Sequence, residues 1–345
     1  MQTAVLVGCG AMSEGWLRAI THVNSKGEKV RLVGFVDLDA DLAAKRAEAW
    51  GWTEAKTGSG LAAMLEETKP DVVFDIVVPV ARSTVVTTAF DHGCDVLSEK
   101  PMANTLEEAK ALLTARNASG RLHAVIQNRR YLDGIRRAKN FLESGAIGEV
   151  AEVHCDFFIA PHFGGFREEM QHVLLLDMAI HTFDAARFVS GIEPRRVVCV
   201  ESNPDHSWYS HGASANAIFE CENNKLLTYR GSWCAEGAPT DWEATWRIVG
   251  SKGTLIWDGN NGFRAERPAK RDGLLAEMEE IAVPELPPLS DTGHAGVIAD
   301  FLAARESGTA PLTDSRDNYR SLAMTFAAIE SAEGGCFIDI EEEEL

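Results

Sequence analysis

Short apolar runs alternate with amphipathic segments over roughly the first 125 residues of the chain. Five of these runs have the length and composition of β-strands, at residues 3–8, 31–37, 71–78, 95–98 and 123–127. Four segments between them have helical periodicity, at residues 11–23, 42–50, 84–92 and 106–119. Strands that alternate with helices of about ten residues predict βαβ units and a parallel sheet.

The pattern changes near residue 149, where strand-like segments begin to follow one another. Residues 149–160 alternate like a half-buried strand, and residues 174–189 form one amphipathic helical segment. Further strand-like runs are separated by tight turns, at residues 196–201, 213–221, 225–233, 243–249 and 254–257. Consecutive strands with tight turns predict an antiparallel sheet. Residues 264–290 contain four prolines and predict a surface excursion before two closing helices at 295–306 and 316–333.

Composition and charge narrow the classes of function. The chain has 345 residues, enough for about two domains, and a formal net charge of −19. So acidic a protein is a poor partner for nucleic acid or for an anionic membrane surface. No apolar run approaches the roughly 18 residues of a membrane span, and we identify no signal-peptide pattern. Seven scattered cysteines without a Cys-x-x-Cys pair predict neither a disulfide framework nor a zinc site, so we expect a cytoplasmic protein.

The first candidate site is the turn Gly8-Cys9-Gly10-Ala11-Met12-Ser13, which follows a predicted strand and opens a predicted helix. Gly8 would permit the tight turn, and Gly10 would let the backbone approach a pyrophosphate. The first N–H groups of the helix would face the phosphates. Ser13 is small enough for close helix packing, and its hydroxyl could also donate to a phosphate oxygen. The turn predicts a dinucleotide site, and the alternative is a plain turn between strand and helix.

Asp37 lies at the end of the second predicted strand. A carboxylate there can accept hydrogen bonds from both ribose hydroxyls of an adenosine and would repel a 2′-phosphate. We therefore expect NAD rather than NADP as the cofactor. The neighbouring Asp39 is expected to cap the helix that follows.

Glu99 and Lys100 follow the predicted strand at 95–98 and precede Pro101. Ligands of a doubly wound sheet bind outside the carboxyl ends of the strands, so this pair would lie at the functional edge. Pro101 restricts the backbone of Lys100 and would help to aim its side chain. If residues 98–101 are considered alone, the alternative is that Glu99 and Lys100 form an ion pair on the protein surface.

Asp177, His181 and Asp184 fall on one face of the predicted helix at 174–189. Histidine is the usual general base near neutral pH, and a carboxylate one turn away can orient it. The alternative is a core histidine bonded to its neighbour. The histidines of the chain match no familiar spacing of metal ligands, so no metal site is expected.

In order along the chain, these motifs resemble the Gfo/Idh/MocA oxidoreductases, a family that includes glucose–fructose oxidoreductase and inositol dehydrogenase. The resemblance covers nearly the whole chain. It rests on the glycine turn, Asp37, Glu99-Lys100-Pro101, the run Gln-Asn-Arg-Arg-Tyr at 127–131, and the pair Asp177 and His181.

The resemblance implies an α/β protein with three parts. A Rossmann domain with a doubly wound parallel sheet would span residues 1–125. An α/β domain with a large, open, mostly antiparallel sheet would span residues 126–315 and serve substrate binding and dimerisation. Residues 316–345 would form a C-terminal helix that packs back on the N-terminal domain.

The resemblance also implies hydride transfer between NAD and the carbinol carbon of a sugar, inositol, polyol or sugar-acid-like substrate. Lys100 would hydrogen-bond the reacting oxygen and stabilise its negative charge. His181 would take the hydroxyl proton, and Asp177 would position the substrate or tune the histidine. Three further residues would line the cofactor cleft or lie near the nicotinamide, namely Pro79, Glu99 and Asn128.

Residues 162–167 precede the predicted helix that carries Asp177 and His181, and their sequence indicates no single substrate. Within this segment, His162 and Arg167 could contact the substrate, and an arginine would suit a carboxylate or a dense array of hydroxyls. The alternative is a glycine-hinged loop with a surface arginine.

Trp242, Trp246 and Ile248 fall on one face of a predicted strand. An exposed aromatic face would favour a homodimer or homotetramer through the open sheet, and sugar stacking or a buried face are the alternatives.

Two other functions stay open at the level of the sequence. An enzyme that uses NAD as a transient oxidant for glycoside cleavage would employ the same Lys100 and His181. A non-catalytic, NAD-responsive regulatory protein would keep the Gly8–Gly10 turn and would not need Lys100 together with His181.

Overall fold

A computed structural model describes residues 1–340, in which each of two compact units combines two separate stretches of the chain. The first unit comprises Met1–Tyr131 and Leu289–Arg320, and the second comprises Leu132–Pro288 and the described residues from Ser321 onward. The end of the predicted C-terminal segment, residues 341–345, lies outside the described residues.

The helices and strands are numbered in chain order. The helices within residues 1–340 are α1 (Met12–Asn24), α2 (Ala40–Ala49), α3 (Leu61–Thr68), α4 (Pro79–Asp91), α5 (Leu106–Ser119), α6 (Asp133–Glu143), α7 (Ile180–Ser190), α8 (Gly293–Ser307) and α9 (Ser315–Gly334). The strands are β1 (Gln2–Val7), β2 (Val30–Val36), β3 (Lys56–Gly58), β4 (Val72–Asp75), β5 (Asp95–Ser98), β6 (His123–Val125), β7 (Val150–Phe158), β8 (Pro194–Ser202), β9 (Ser214–Cys221), β10 (Leu226–Ser232), β11 (Thr245–Gly250), β12 (Thr254–Trp257), β13 (Phe263–Lys270), β14 (Glu277–Ile281) and β15 (Ile338–Asp339). None of these helices, in the part of the chain described, has the length and apolar character needed to cross a bilayer.

The first unit contains a parallel sheet with the strand order β3-β2-β1-β4-β5-β6. This is the order of the doubly wound dinucleotide-binding fold, so the fold class predicted for the N-terminal part is confirmed. The register aligns the strand ends, because Val7 pairs with both Val36 and Asp75, and Asp75 pairs with Ser98. The residues that follow these strands therefore share one edge of the sheet.

Local signals set where two of the surrounding helices begin. Pro79 stands at the start of α4, where a missing backbone N–H costs nothing. The Asp39 side chain accepts hydrogen bonds from the N–H groups of Asp41 and Leu42 at 3.0 and 3.3 Å, which confirms it as the cap of α2. Because α4 begins at Pro79, β4 is shorter than the strand predicted at residues 71–78.

The core of the first unit includes α8. Ile298 and Phe301 of α8 are fully buried and belong to the same apolar core as Trp16 of α1 and Phe74 of β4. The domain boundaries expected from the sequence assign residues 289–315 to the second domain. The structure places them in the first unit because α8 buries its apolar side against α1.

The second unit contains a nine-stranded mixed sheet within the described residues, in the order β14-β13-β12-β11-β7-β10-β9-β8-β15. Neighbouring strands are antiparallel apart from the pair β7 and β10, which confirms the predicted, mostly antiparallel sheet. Alternate residues of β7 such as Val153 and Phe157 are buried. Helix α6 lies close to the sheet, since a Cβ on its Gly134 would lie 2.5 Å from the ring of Trp257.

The aromatic face predicted near residue 246 is a core face. Trp246 and Ile248 lie in β11 and are buried, and Trp246 stacks on Trp257 with 6.4 Å between ring centroids. Trp242 precedes β11 and is partly exposed. The prediction of an exposed aromatic stripe is therefore wrong, because period two alone does not tell which face of a sheet is covered.

Two further segments differ from their predicted form. Residues 264–290 are not wholly an excursion, because they include most of β13 and the antiparallel hairpin that it forms with β14. The helix predicted at 174–189 begins with a π-helical turn at Leu174–Ala179 before α7.

Helix α9 contributes to both units, since the division falls after Arg320. Within the second unit, the Ser321 hydroxyl donates to Asp184 at 2.8 Å, and the Ser331 hydroxyl accepts from the N–H of Cys199 at 2.8 Å. The family resemblance implies that this helix packs back on the N-terminal domain. From Ser321 onward it belongs instead to the second unit, where its hydroxyl groups satisfy buried polar atoms.

Candidate active site

The cofactor residues predicted for the first unit follow its aligned strand ends. Gly8 follows β1, Asp37 follows β2, Glu99 follows β5, and Asn128 begins a short 3₁₀ turn after β6. Pro79 opens α4 shortly after β4. Because ligands of doubly wound sheets bind at this edge, the structure brings these residues to the place where a ligand would lie.

The glycine turn has a close approach at Gly8 and open space at Gly10. Gly8 has φ +93°, and a Cβ there would lie 2.7 Å from the carbonyl carbon and oxygen of Ile76. A Cβ on Gly10 would meet no atom within 4 Å. The fully buried Ser13 donates its hydroxyl hydrogen to the Gly10 carbonyl at 2.6 Å. Of the two expectations for Ser13, the structure supports close packing, because this hydrogen is held within the turn.

Helix α1 begins at Met12, after Ala11, and no side chain caps its N-terminus. The first N–H groups of an α-helix have no partner within the helix. The N–H groups of Ser13 and Glu14 donate to the carbonyls of Gly10 and Ala11 at 3.1 and 3.2 Å, so the donors that the start of α1 offers to a phosphate group are those of Ala11 and Met12. The helix dipole favours a negative charge at the same place.

The carboxylate of Asp37 joins the glycine turn to the second strand end. Its Oδ2 accepts from the N–H of Cys9 at 2.7 Å, and its Oδ1 accepts from the N–H of Asp39 at 3.0 Å. A carboxylate has about four acceptor positions, so both oxygens can still accept from a ribose. Arg46 of α2, which no sequence motif identifies, donates to the Cys9 carbonyl at 3.1 Å and pairs with Glu14 at 2.5 Å.

Four apolar side chains are exposed just after the aligned strand ends. They are Met12, Leu38, Val78 and Val80. Leu38, which follows Asp37, is 97% exposed. Several exposed apolar side chains at the ligand-binding edge of a sheet are typical of a surface that a ligand or partner covers. Among these four, the sequence motifs identify only Met12 as a cofactor residue. Leu38, Val78 and Val80 come to the same edge of the sheet only through the alignment of the strands.

Glu99 is buried, which excludes the alternative of a simple surface ion pair. Its Oε1 accepts from the indole N–H of Trp16 at 2.8 Å, and its Oε2 accepts from the backbone N–H of Lys100 at 3.0 Å. Burial raises the pKa of Glu99, but the imidazole of His294, the hydrogen bond from Trp16 and the charge of Lys100 together outweigh it, so the pKa lies below its ordinary value. Glu99 is therefore a fixed negative charge beside the half-buried Lys100.

A buried arginine braces the loop that carries Lys100. Arg82 of α4 donates to Asp75 Oδ2 at 2.9 Å, to the Val77 carbonyl at 2.5 Å and to the Pro101 carbonyl. Burial raises the pKa of Asp75, and the Arg82 guanidinium opposes that rise. The planar guanidinium thus ties together the segments that follow β4 and β5. No sequence signal identifies this brace, because its members are distant in the chain.

Asn128 contacts a histidine from the second stretch of the first unit. His294, in the first turn of α8, has its Nδ1 3.3 Å from Asn128 Nδ2 and its Nε2 3.7 Å from Glu99 Oε1. His294 stands in a turn-rich stretch without a motif, so no sequence signal identifies it.

The residues at this edge fit a dinucleotide. The space at Gly10 and the start of α1 suit a pyrophosphate, Asp37 suits a ribose, and exposed apolar side chains suit a flat aromatic base. The buried Oδ1 of Asn128 has no hydrogen-bond partner among residues 1–340. A buried acceptor of this kind is costly unless a ligand supplies a donor.

The candidate residues of the second unit lie around the start of α7. Asp177 lies in the π-helical turn, and His181 lies in the first turn of α7. Arg167 donates from Nε to Asp177 Oδ2 at 2.7 Å. Its guanidinium lies over the rings of Phe163 and Phe166, at 5.2 and 4.9 Å from their centroids. The structure thus pairs two predicted substrate residues and offsets the charge of the arginine.

Two other candidate residues have different surroundings. Asp184, predicted to share a face with Asp177 and His181, is buried and accepts from Ser321. The π-helical turn changes the helical phase ahead of α7, so spacing based on a regular helix does not hold across it. His162 is exposed, stacks on Trp208 with 3.8 Å between centroids, and lies 3.4 Å from Glu236.

The cysteines do not provide a reactive group at this edge. All seven have free thiols, and burial with the nearby Asp37 raises the pKa of Cys9 to about 12. Within residues 1–340, no three His, Cys, Asp or Glu side chains are grouped so that they could hold a metal ion.

Both parts of the chain match models of one protein family. Residues 3–127 match the model described as an oxidoreductase family with an NAD-binding Rossmann fold. Residues 135–256 match the model described as the GFO/IDH/MocA C-terminal domain.

Individual relatives are similar over almost their whole length. The chain is 27% identical to D-apiose dehydrogenase from Rhizobium rhizogenes, across 97% of this chain and 96% of that protein. It is 23% identical to 1,5-anhydro-D-fructose reductase from Ensifer adhaerens, across 97% and 98%. A crystal structure of an oxidoreductase from Agrobacterium radiobacter, in complex with NAD⁺, L-tartaric acid and magnesium, superposes with a TM-score of 0.84. It is 22% identical and covers 98% of each chain, which supports the same fold.

Proposed function

Because the chain belongs to the Gfo/Idh/MocA family of oxidoreductases, we propose that it transfers a hydride between NAD and a CH–OH group of a sugar, inositol, polyol or sugar-acid-like compound. The observation that carries this proposal is one sheet edge that combines the Gly8–Gly10 turn, Asp37 and the Glu99–Lys100 pair. The relatives named as D-apiose dehydrogenase and 1,5-anhydro-D-fructose reductase support a sugar-like substrate.

The preference for NAD over NADP rests on Asp37. Its two oxygens already hold the N–H groups of Cys9 and Asp39, so the carboxylate is fixed in place beside the turn. A fixed carboxylate accepts ribose hydroxyls and repels the charge of a 2′-phosphate. Arg46, the nearby cation, is paired with Glu14 and is thereby offset.

In this proposal the protein handles the proton and the developing charge, and bound NAD⁺ supplies the hydride acceptor. Oxidation breaks the C–H bond of the carbinol, whose electron pair leaves with the hydrogen, and the O–H bond, whose proton passes to His181. The ammonium group of Lys100 hydrogen-bonds the same oxygen and stabilises its negative charge. Asp177 positions the substrate or orients His181.

Within this substrate class, the surroundings of Arg167 favour neutral polyhydroxyl compounds over acids. An arginine that already pairs with Asp177 at 2.7 Å has little net charge to offer a carboxylate. The pair still presents donors and acceptors, which suits vicinal hydroxyls. We keep His162 as a second substrate contact, supported by its position in the same segment before α7.

We further propose that the protein is a cytoplasmic homo-oligomer. Free, mostly buried cysteines support a reducing compartment. Val200 and Ile218 are 65% and 45% exposed on the face of the second-unit sheet opposite its core. Near Ile218 that face carries a groove of about 600 Å³. A second copy of this chain would cover these side chains, and the charged residues beside them are already paired, as in Arg230 with Asp156 at 2.6 Å.

The test is turnover of the full-length protein with NAD⁺ or NADP⁺ against a panel of sugars, inositols, polyols and sugar acids. Lys100→Ala and His181→Ala should each lower kcat by about 100-fold or more, with NAD⁺ affinity unchanged for His181→Ala. His92→Ala is the matched control and should keep full activity, because His92 caps the C-terminal end of α4, at the edge of the sheet opposite the carboxyl ends of the strands. NAD⁺ binding without turnover of any substrate would favour the regulatory alternative, and full activity in His181→Ala would contradict the assigned base.

A further inference from the structure

His294 lies among three groups of the first unit that meet at the carboxyl edge of the parallel sheet. Its Nδ1 is 3.3 Å from Asn128 Nδ2, and its Nε2 is 3.7 Å from Glu99 Oε1. Its ring meets Trp16 edge-on, with 6.2 Å between centroids and 72° between planes. The histidine therefore touches a fixed carboxylate on one side and a neutral amide on the other.

The carboxylate determines which ring nitrogen carries the hydrogen. Ionised Glu99 can only accept hydrogen bonds, so the nitrogen that faces it, Nε2, is the donor. At 3.7 Å this contact is a long, mainly electrostatic one. In the neutral ring the other nitrogen, Nδ1, is then an acceptor.

The histidine in turn determines the orientation of the Asn128 amide. An acceptor at Nδ1 requires the NH₂ group of Asn128, and not its oxygen, to face His294, which agrees with the 3.3 Å contact. The amide oxygen then faces away. This Oδ1 is buried and has no hydrogen-bond partner among residues 1–340.

We propose that His294 is a positioning residue that holds the oxygen of Asn128 ready to accept a hydrogen bond from the carboxamide NH₂ of the nicotinamide ring. The inference rests on the NAD binding proposed above. Asn128 follows β6 and Glu99 follows β5, at the edge where the ligand of such a sheet lies. The carboxamide is the one part of the nicotinamide ring that carries N–H donors. If the Asn128 amide were rotated by 180°, its NH₂ group would face the carboxamide NH₂ of the nicotinamide, and two donors cannot form a hydrogen bond.

The experiment compares NAD⁺ with its 3-acetylpyridine analogue, in which a methyl group replaces the carboxamide nitrogen. Dissociation constants are measured by calorimetry on the full-length protein, with no substrate present. The wild type should bind NAD⁺ about three- to tenfold more tightly than the analogue, as expected for one hydrogen bond to a buried acceptor. His294→Leu should reduce this preference to less than about twofold, by weakening NAD⁺ binding and leaving the analogue unaffected.

Two further variants separate positioning from a general structural role. His294→Asn keeps a side-chain oxygen that can accept from Asn128, and it should restore part of the preference. His92→Leu, at a histidine of the same unit that lies away from the carboxyl ends of the strands, should keep the whole preference. Equal binding of both dinucleotides by the wild type would overturn the inference while leaving the proposed function intact. An unchanged preference of His294→Leu for NAD⁺ over the analogue would also overturn the inference and leave the proposed function intact. If the wild type bound neither dinucleotide, the proposed function itself would be overturned.

Discussion

Replacing Gly8 by alanine tests the close approach on which the glycine turn depends. The added Cβ would lie 2.7 Å from the carbonyl carbon and oxygen of Ile76 and 3.0 Å from the nitrogen of Val77. Neither strand end can easily withdraw. The N–H of Gly8 donates to Val36 at 2.8 Å, and the N–H of Ile76 donates to Val7 at 2.8 Å.

Two costs add up in this substitution. An L-residue at the left-handed φ of +93° costs about 1–2 kcal/mol, and forcing an extra carbon into a packed site costs about 1–3 kcal/mol. The expected loss of unfolding free energy is therefore about 3 kcal/mol. For a unit of this size each kcal/mol lowers Tm by about 2–4 °C, so Gly8→Ala should melt about 6–12 °C below the wild type.

Gly10→Ala is the matched control, since its Cβ meets no atom within 4 Å. It should keep the melting temperature of the wild type within about 2 °C. It should also weaken NAD⁺ binding at least roughly tenfold, because the methyl group would occupy the space through which the backbone approaches a pyrophosphate. The assays are scanning calorimetry without cofactor and titration calorimetry with NAD⁺.

The two variants can refute two separate parts of the reasoning. A Gly8→Ala protein that melts with the wild type would show that the approach to Ile76 does not constrain the turn. A Gly10→Ala protein with undiminished NAD⁺ affinity would show that the cofactor does not lie against Gly10.

Three other predictions concern the buried brace, acid stability and assembly. Arg82→Met leaves Asp75 buried without its cation and should cost about 3–5 kcal/mol in urea unfolding, and adding Asp75→Asn should recover much of it. Burial raises the pKa of Glu99, but the imidazole of His294, the hydrogen bond from Trp16 and the charge of Lys100 lower it below the ordinary 4.5. The ionised carboxylate therefore stabilises the folded protein fully above pH 4.5, and this contribution is lost as the pH falls through the lower folded-state pKa. Glu99→Gln should therefore flatten the acid limb of a plot of Tm against pH. Ile218→Asp should convert the oligomer to a monomer in light scattering.

Each of these predictions has an outcome that would contradict it. The first prediction is contradicted if Arg82→Met unfolds in urea like the wild type, and the second if Glu99→Gln keeps the wild-type fall of Tm at acid pH. The third is contradicted if light scattering gives Ile218→Asp the same mass as the wild type.

The sequence alone predicts the residues whose roles depend on neighbours along the chain. Strand, turn and helix follow one another around Gly8 and Gly10, so their context is visible in a short window. Asp37 and Glu99 each follow a strand, and the rule that parallel strands share an edge then places them together. The same local logic identifies Asp39 as a helix cap.

Residues that act through distant partners are not predictable in this way. Arg82 reaches Pro101, and His294 reaches Glu99 and Asn128, across separations that no periodicity records. The burial of Trp246 escapes prediction for a related reason, since alternation tells which residues share a face but not which face is covered. The π-helical turn at Leu174–Ala179 likewise changes the spacing between Asp177 and the residues of α7, and no periodicity in the sequence marks it.

The return of the chain at residue 289 has a consequence for how the protein is made. Trp16 and Phe74 emerge from the ribosome early, but Phe301, which shares their core, follows only after the roughly 160 residues of the second unit's first stretch. At about 5–20 residues per second, the nascent cofactor domain waits roughly 10–30 s with part of its core uncovered. A recombinant fragment that ends near Tyr131 would keep this exposed surface, so cofactor binding is best measured on full-length protein.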